Sequence, residues 1–272
     1  MHLASSYARY LRLLGFDSVP AGLDGLRALV RAHLVRVPFE NVSKLLLFRR
    51  EGAGRVTTLP EFLDGIEHHD LGGTCYTNNP YLAELLCAIG YDAALLGADL
   101  SSPNVQTSIR VSIDSVEYHV DVGFAAPLYE PIPLNRLPYE TRRGSFRYIF
   151  SSDSEPTRYE LSVCNANESI LRYVVHGPPR PLDCFRQTIE KSYLPGKTFM
   201  TWLRIGRFFE GYSVDLVDRK LTIHRGSESN DYVMNSMREI RAAVSDELGM
   251  PRCSVEEAIE FLEELNGKRF FG

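Results

Sequence analysis

The feature that most constrains this chain is a change of hydrophobic period near residue 91. Before it, Tyr7, Tyr10, Leu11, Leu13 and Leu14 recur at helical spacing, as do Leu26, Leu29, Val30 and Leu34. Pro38 interrupts these helices, because the residue before a proline is pushed out of the helical region. Gly72-Gly73 breaks the chain again, and a helix is expected from Asn79 to Ile89, ended by Gly90. Beyond residue 91 the period becomes two. Ile109, Val111 and Ile113 alternate with Ser108, Arg110 and Ser112, and Val116, Tyr118, Val120 and Val122 alternate with Glu117, His119 and Asp121. With Asp114-Ser115 between them, the two runs read as a β-hairpin.

Further strands are expected near 145–150, 158–164 and 170–175, with an irregular loop marked by Pro127, Pro131 and Pro133. The remainder is mixed. Phe199–Ile205 reads as a strand or a short helix, 213–217 and 221–224 as strands, and 236–248 and 254–265 as helices, the last with a capping box of Ser254 and Glu257. The fold class is therefore α+β, without internal repeats.

Composition narrows the partners. The 272 residues carry a net charge of -5 and show no basic stripe, so nucleic acid is not an expected partner. No apolar run approaches the length of a membrane span, and Met1–Tyr7 lacks the basic start and apolar core of a signal peptide, so the expected location is cytoplasmic. The five cysteines (Cys75, Cys87, Cys164, Cys184 and Cys253) include no pair at CxxC spacing. This indicates neither a metal site nor a redox dithiol, and the cysteines are expected to be free thiols, mostly buried as core filler.

One cysteine stands apart. In Leu71-Gly72-Gly73-Thr74-Cys75-Tyr76-Thr77-Asn78-Asn79, two glycines permit a tight turn and the cysteine follows where a helix begins. Free amide groups and the helix dipole at that end favour a thiolate, the attacking species in acyl transfer. A buried structural cysteine at a helix start is the alternative.

Gly72-Gly73-x-Cys75-x-x-x-Asn79 resembles the nucleophile motif Arg-Gly-Gly-x-Cys-x-Glu-x-Asn of arylamine N-acetyltransferases. Val37-Pro38-Phe39-Glu40-Asn41 and Val120-Asp121-Val122-Gly123-Phe124 are similar to two further signatures of that family, in the right order. The resemblance implies an arylamine N-acetyltransferase-like, cysteine-protease-like fold: a helical bundle over 1–90, a β-barrel over 91–190 and an α/β lid over 191–272. It implies ping-pong transfer from acetyl-CoA, or another acyl-CoA, to a small-molecule amine. No cofactor is tightly held, and Cys75 and Asp121 are catalytic. It places Gly123, Phe124, Phe39 and Gln106 beside substrate or co-substrate.

The family's catalytic histidine is missing. Counting back from Asp121 puts its slot at Gln106, or at Ser108 if the turn is shorter. With Asp114-Ser115 as the turn, Ser108 faces Asp121, Arg110 faces His119, and Gln106 lies diagonal to Asp121. Glutamine can hydrogen-bond, but it takes no proton at neutral pH. His119, on the same strand face, is the alternative base. The family's flanking Arg and Glu are Leu71 and Thr77, a paired loss that strands no charge. Ala125-Ala126 stands where glycines are usual, so a differently shaped loop is expected. Among the other histidines, His33 reads as structural, His68 and His69 as a surface pair, and His176 and His224 have no partner motif. Glu40 is expected to brace the turn. Three functions remain open: an acyltransferase with a changed base, a binding or regulatory protein that keeps the fold without the chemistry, and an amide synthase with a non-acetyl donor.

Overall fold

A computed structural model describes residues 3–152, 157–165 and 168–271, so Met1 and His2 of the N-terminal stretch read above lie outside it. Helices α1 (Ser5–Leu13), α2 (Gly22–Arg36), α3 (Val42–Glu51), α4 (Leu59–His69) and α5 (Cys75–Ala88) come first, with a short strand β1 (Phe39–Glu40) after α2. Thr58 and Glu61 cap α4 reciprocally, each side chain accepting from the other's backbone N–H. The anticipated box at Ser254 and Glu257 does not form. Ser254 has φ -78° and ψ 55°, and its side chain accepts no cap hydrogen bond.

The hairpin is β3 (Gln106–Ile113) and β4 (Val116–Val120), with Arg110 opposite His119. Asp114 and Ser115 both have positive φ (50° and 63°), the conformation a two-residue hairpin turn requires. These strands belong to an eight-stranded antiparallel sheet. It also contains β2 (Asp92–Asp99), β5 (Ile132–Pro133), β6 (Tyr139–Arg143), β7 (Phe146–Ser152), β8 (Arg158–Asn165) and β9 (Glu168–His176), in the order β5-β4-β3-β2-β9-β8-β7-β6. The sheet curls on itself. His119 of β4 stacks on Phe150 of β7 with ring centroids 4.3 Å apart, although four strands separate them in the ladder. Leu96, Ile132, Phe150, Leu161 and Tyr173 fill the interior of this barrel-like sheet.

A second antiparallel sheet is formed by β10 (Arg204–Phe209), β11 (Tyr212–Val217), β12 (Lys220–Arg225) and β13 (Glu228–Val233), with β1 added at the edge of β10. Phe199–Ile205, read as one element, divides into a 3-10 turn at 198–200 and the start of β10. Helices α6 (Arg186–Lys191), α7 (Met237–Ala242, continued by a π-turn to Glu247) and α8 (Val255–Asn266) cover this sheet. Asn41 ties the parts together: its amide donates to the carbonyls of Phe199 (3.0 Å) and Trp202 (2.7 Å) and accepts from the Arg204 N–H (2.7 Å). The sheets are also joined by a buried ion cluster. Asp215 of β11 contacts Arg143 of β6, Arg204 (2.8 Å) and His224 (3.3 Å). Burial pushes the Asp215 carboxyl up, but these cations outweigh it and hold the group well below the usual range. His224 and His176 thus gain acidic partners, His176 pairing with Asp99 at 2.7 Å. Among the described residues, no helix is long and apolar enough to cross a membrane.

His33 is fully buried in α2 with both ring nitrogens unpartnered, and burial pulls its pKa down to about 3. The unfolded chain, with an imidazole near 6.5, binds one more proton than the native state between those values. His33 therefore adds stability above pH 6.5 that is lost as pH falls toward 3. His119 acts in the same direction, while Asp121 and Glu40, raised by burial, act oppositely at acid pH. Comparison with wild type isolates one group. His33→Phe should flatten the dependence of unfolding free energy on pH by about 1.4 kcal/mol per pH unit between pH 4 and 6, measured by urea titration.

Candidate active site

The helix carrying Cys75 begins at the cysteine itself, four residues earlier than the periodicity suggested. Thr74 is its extended N-cap, and its carbonyl accepts from the N–H groups of Thr77 (3.1 Å) and Asn78 (3.0 Å). Gly73 has φ +143°, and a Cβ there would lie 2.1 Å from Thr77 Oγ1, so glycine alone allows this entry. Glu40 braces the turn from below, accepting from the N–H groups of Gly72 (3.1 Å) and Ser43 (2.7 Å).

Strand β3 clamps onto this helix start. Thr107 Oγ1 donates to the Cys75 carbonyl (2.7 Å), and Asn79 Nδ2 donates to the Thr107 carbonyl (2.6 Å) and to Asp121 Oδ1 (2.8 Å). Asp121 lies one residue beyond the β4 ladder and is fully buried. Besides Asn79 it accepts from Gln106 Nε2 (3.1 Å), the Tyr173 hydroxyl (2.8 Å) and the Gly123 N–H (2.8 Å). Burial lifts its pKa to about 6 while these four donors pull it back, so it is ionised at pH 7.

Gln106 therefore holds its expected place, diagonal to and bonded with Asp121. His119 does not reach the carboxylate. Its Nε2 lies 3.3 Å from the Tyr173 hydroxyl, which already donates to Asp121, its Nδ1 is unpartnered, and burial lowers its pKa to about 3. The ring lies behind that tyrosine and stacks on Phe150 within the barrel-like sheet. Cys75 is also buried, with its thiol 3.8 Å from the Val105 carbonyl. Burial first and the Asp121 charge second push this thiol up to about 12, against the Thr107 backbone N–H and the Lys44 ammonium. Burial thus opposes the thiolate that the helix start was expected to favour.

Of the residues expected beside substrate, Gly123 packs against Cys75: a Cβ on it would lie 2.6 Å from Cys75 Cα. Phe39 bridges to Gly73 and packs edge-on to Phe199 (5.8 Å), and Phe124 packs edge-on to Tyr173 (4.7 Å). Ala125 adopts φ 57°, so the loop keeps a left-handed conformation despite its alanine. Leu71 packs into the core, and Thr77 Oγ1 donates to the Thr74 carbonyl (3.1 Å). The other cysteines do not fill the core as expected: Cys87 and Cys184 are exposed and Cys164 and Cys253 half-buried. Among the described residues, no group of three or more His, Cys, Asp or Glu is placed to hold a metal ion.

A family model described as N-acetyltransferase matches residues 22–251. The chain belongs to the arylamine N-acetyltransferase family. It is 27% identical over 263 residues to an arylamine N-acetyltransferase of Mycolicibacterium smegmatis, covering 91% of this chain and 93% of the relative. It is 28% identical over 256 residues to proansamycin X synthase of Amycolatopsis mediterranei (strain S699), covering 87% and 94%. The fold matches that of Mycobacterium marinum arylamine N-acetyltransferase, solved in complex with CoA, with a TM-score of 0.79 at 20% identity, covering 96% and 99%. Family membership and fold are thus those expected from the cysteine, Pro-Phe-Glu-Asn and Asp-Val-Gly-Phe segments. Tyr173 and Lys44 were not anticipated. Tyr173 reaches the site from β9, and Lys44 acts on the thiol from α3, so neither adjoins a motif in sequence.

The loop at Gly123 makes two substitutions act in opposite directions. Gly123→Ala forces backbone against Cys75 and should cost about 1–3 kcal/mol. Ala125→Gly relieves a left-handed alanine and should add about 1 kcal/mol. Thermal unfolding checks both, with Tm shifts of about 2–4 °C per kcal/mol.

Proposed function

We propose that this protein is an acyltransferase in which Cys75 takes an acyl group from an acyl-CoA and passes it to a small amine, with Gln106 in the place of the general base. Support comes from the family, from the relative whose structure holds CoA, and from the retained relation of Cys75, Asp121 and Gly123. The single observation that carries the reading is the Gln106–Asp121 bond of 3.1 Å. The amide keeps the link to the carboxylate that orients it, but it cannot accept the thiol proton. In this reading Cys75 attacks the thioester only as the small thiolate fraction set by pH. The acyl group moves to sulfur and CoA leaves as its thiolate; the amine then attacks the Cys75 thioester, the C–S bond breaks, and the amine's proton passes to the departing Cys75 thiolate, which restores the thiol.

The specific observation favouring a second reading is the buried thiol raised to about 12. In that reading the fold is kept for binding and the transfer is lost. The relative named as a synthase supports leaving the acyl donor and acceptor open.

Intact-mass measurement of Cys75 acylation by acetyl-CoA and by longer acyl-CoAs separates these readings. The acyl adduct should form about tenfold faster per pH unit from pH 7 to 10, because the thiolate fraction grows in that proportion. Cys75→Ala should abolish it. Gln106→His should raise the rate at pH 7 by about 10²–10⁴-fold and flatten the pH profile. Equal wild-type rates at pH 7 and 9 would sink the missing-base account. No adduct from any donor at pH 10 would establish the second reading.

A further inference from the structure

A cleft of about 920 Å³ opens on the far side of the cysteine loop, between α3, α4, α6 and α8. Gly73, Thr74, Tyr76 and Thr77 form part of its wall, but Cys75 does not line it. The charges at its rim are already matched. Arg49 pairs with Glu264 (3.1 Å) and Glu257 (3.9 Å), and Arg50 with Glu51 (2.9 Å). Arg55 pairs with Glu51 and Glu61 (each 2.7 Å), and Asp64 with Arg9 (2.7 Å).

Lys44 is the exception. It lines the same cleft, is only 7% exposed, and has no carboxylate within ion-pair distance among the described residues. Its ammonium touches Ser192 Oγ at 2.5 Å and sits 3.8 Å from the centre of the Tyr193 ring. An ammonium has three donors, and among the described residues one of them meets an acceptor, Ser192 Oγ. A buried cation without a counter-charge is costly, and burial lowers the Lys44 pKa to about 7. The apolar part of the cleft lining includes Leu46, Leu47, Val56, Leu71 and Ile189. The cleft volume suits a small organic ligand.

We propose that this cleft is a second ligand site, separate from Cys75, for a monoanionic amphiphile: a carboxylate seated on Lys44 with an aromatic or aliphatic body along the apolar wall. The carboxylate supplies the missing counter-charge, and the body displaces water from the half-buried Val56 and Leu71. The inference is independent of whether Cys75 turns over.

The probes are 4-phenylbutyrate and its neutral counterpart 4-phenylbutanol, titrated calorimetrically into the full chain. The acid should bind at least about tenfold tighter than the alcohol, the size of one charge-assisted contact. Lys44→Met should erase that difference, Lys44→Arg should keep it, and Cys75→Ala should leave it unchanged. Val56→Trp, which fills the cleft and leaves Lys44 intact, should weaken the acid about tenfold, and it provides a test if Lys44→Met does not fold. Equal affinity for acid and alcohol, undiminished binding to Lys44→Met or Val56→Trp, or loss of binding in Cys75→Ala would overturn the proposal. So would no binding up to about 10 mM.

Discussion

The architecture around Cys75 depends on the buried carboxylate of Asp121. An ion removed from water is stable only when its oxygens are met by donors. Here four donors converge, from Asn79 of α5, Gln106 of β3, Tyr173 of β9 and the Gly123 backbone. Each donor belongs to a different part of the chain, so satisfying the charge also fixes the helix start against the barrel. Asn79 extends the tie by holding the Thr107 carbonyl and the Val122 N–H. The position of Cys75 is a consequence of this network, since Thr107 grips its carbonyl from the same strand.

That dependence explains how the site keeps its shape without an imidazole. Glutamine preserves a donor to the carboxylate, so no acceptor is orphaned. What changes is the electrostatics. With no cation between sulfur and Asp121, burial and the carboxylate charge together favour the neutral thiol. Lys44 opposes this from α3, but it is itself pushed toward the neutral form by burial.

The parts of the site legible in the sequence were local. Alternation from Ser108 to Val122 and the Asp114-Ser115 turn set the hairpin register, and the register places Gln106 beside Asp121. The Gly-Gly-x-Cys segment marked the helix entry, although Asn79 suggested a later start than the one formed. Reach was harder to read than register. His119 shares the correct strand face, yet Tyr173 stands between it and the carboxylate. Ser254 and Glu257 have capping-box spacing, yet the backbone at Ser254 is not in the cap conformation. The exposure of Cys87 and Cys184 likewise followed from packing rather than from residue type.

By itself, the sequence determined the order of helical and strand segments, the family, the turn that delivers Cys75, and a glutamine rather than a histidine at position 106. These rest on period, glycine content and residue identity, which act over a few neighbouring positions. Only the tertiary structure decided what charge each group can carry. Burial favours the neutral forms of His33 and His119, Arg143 and Arg204 favour the ionised Asp215, and Lys44 has no carboxylate within ion-pair distance among the described residues. Ionisation inside a protein is set by burial and by charges brought near through folding. The partners that decide it lie tens of residues apart, where no local pattern records their approach.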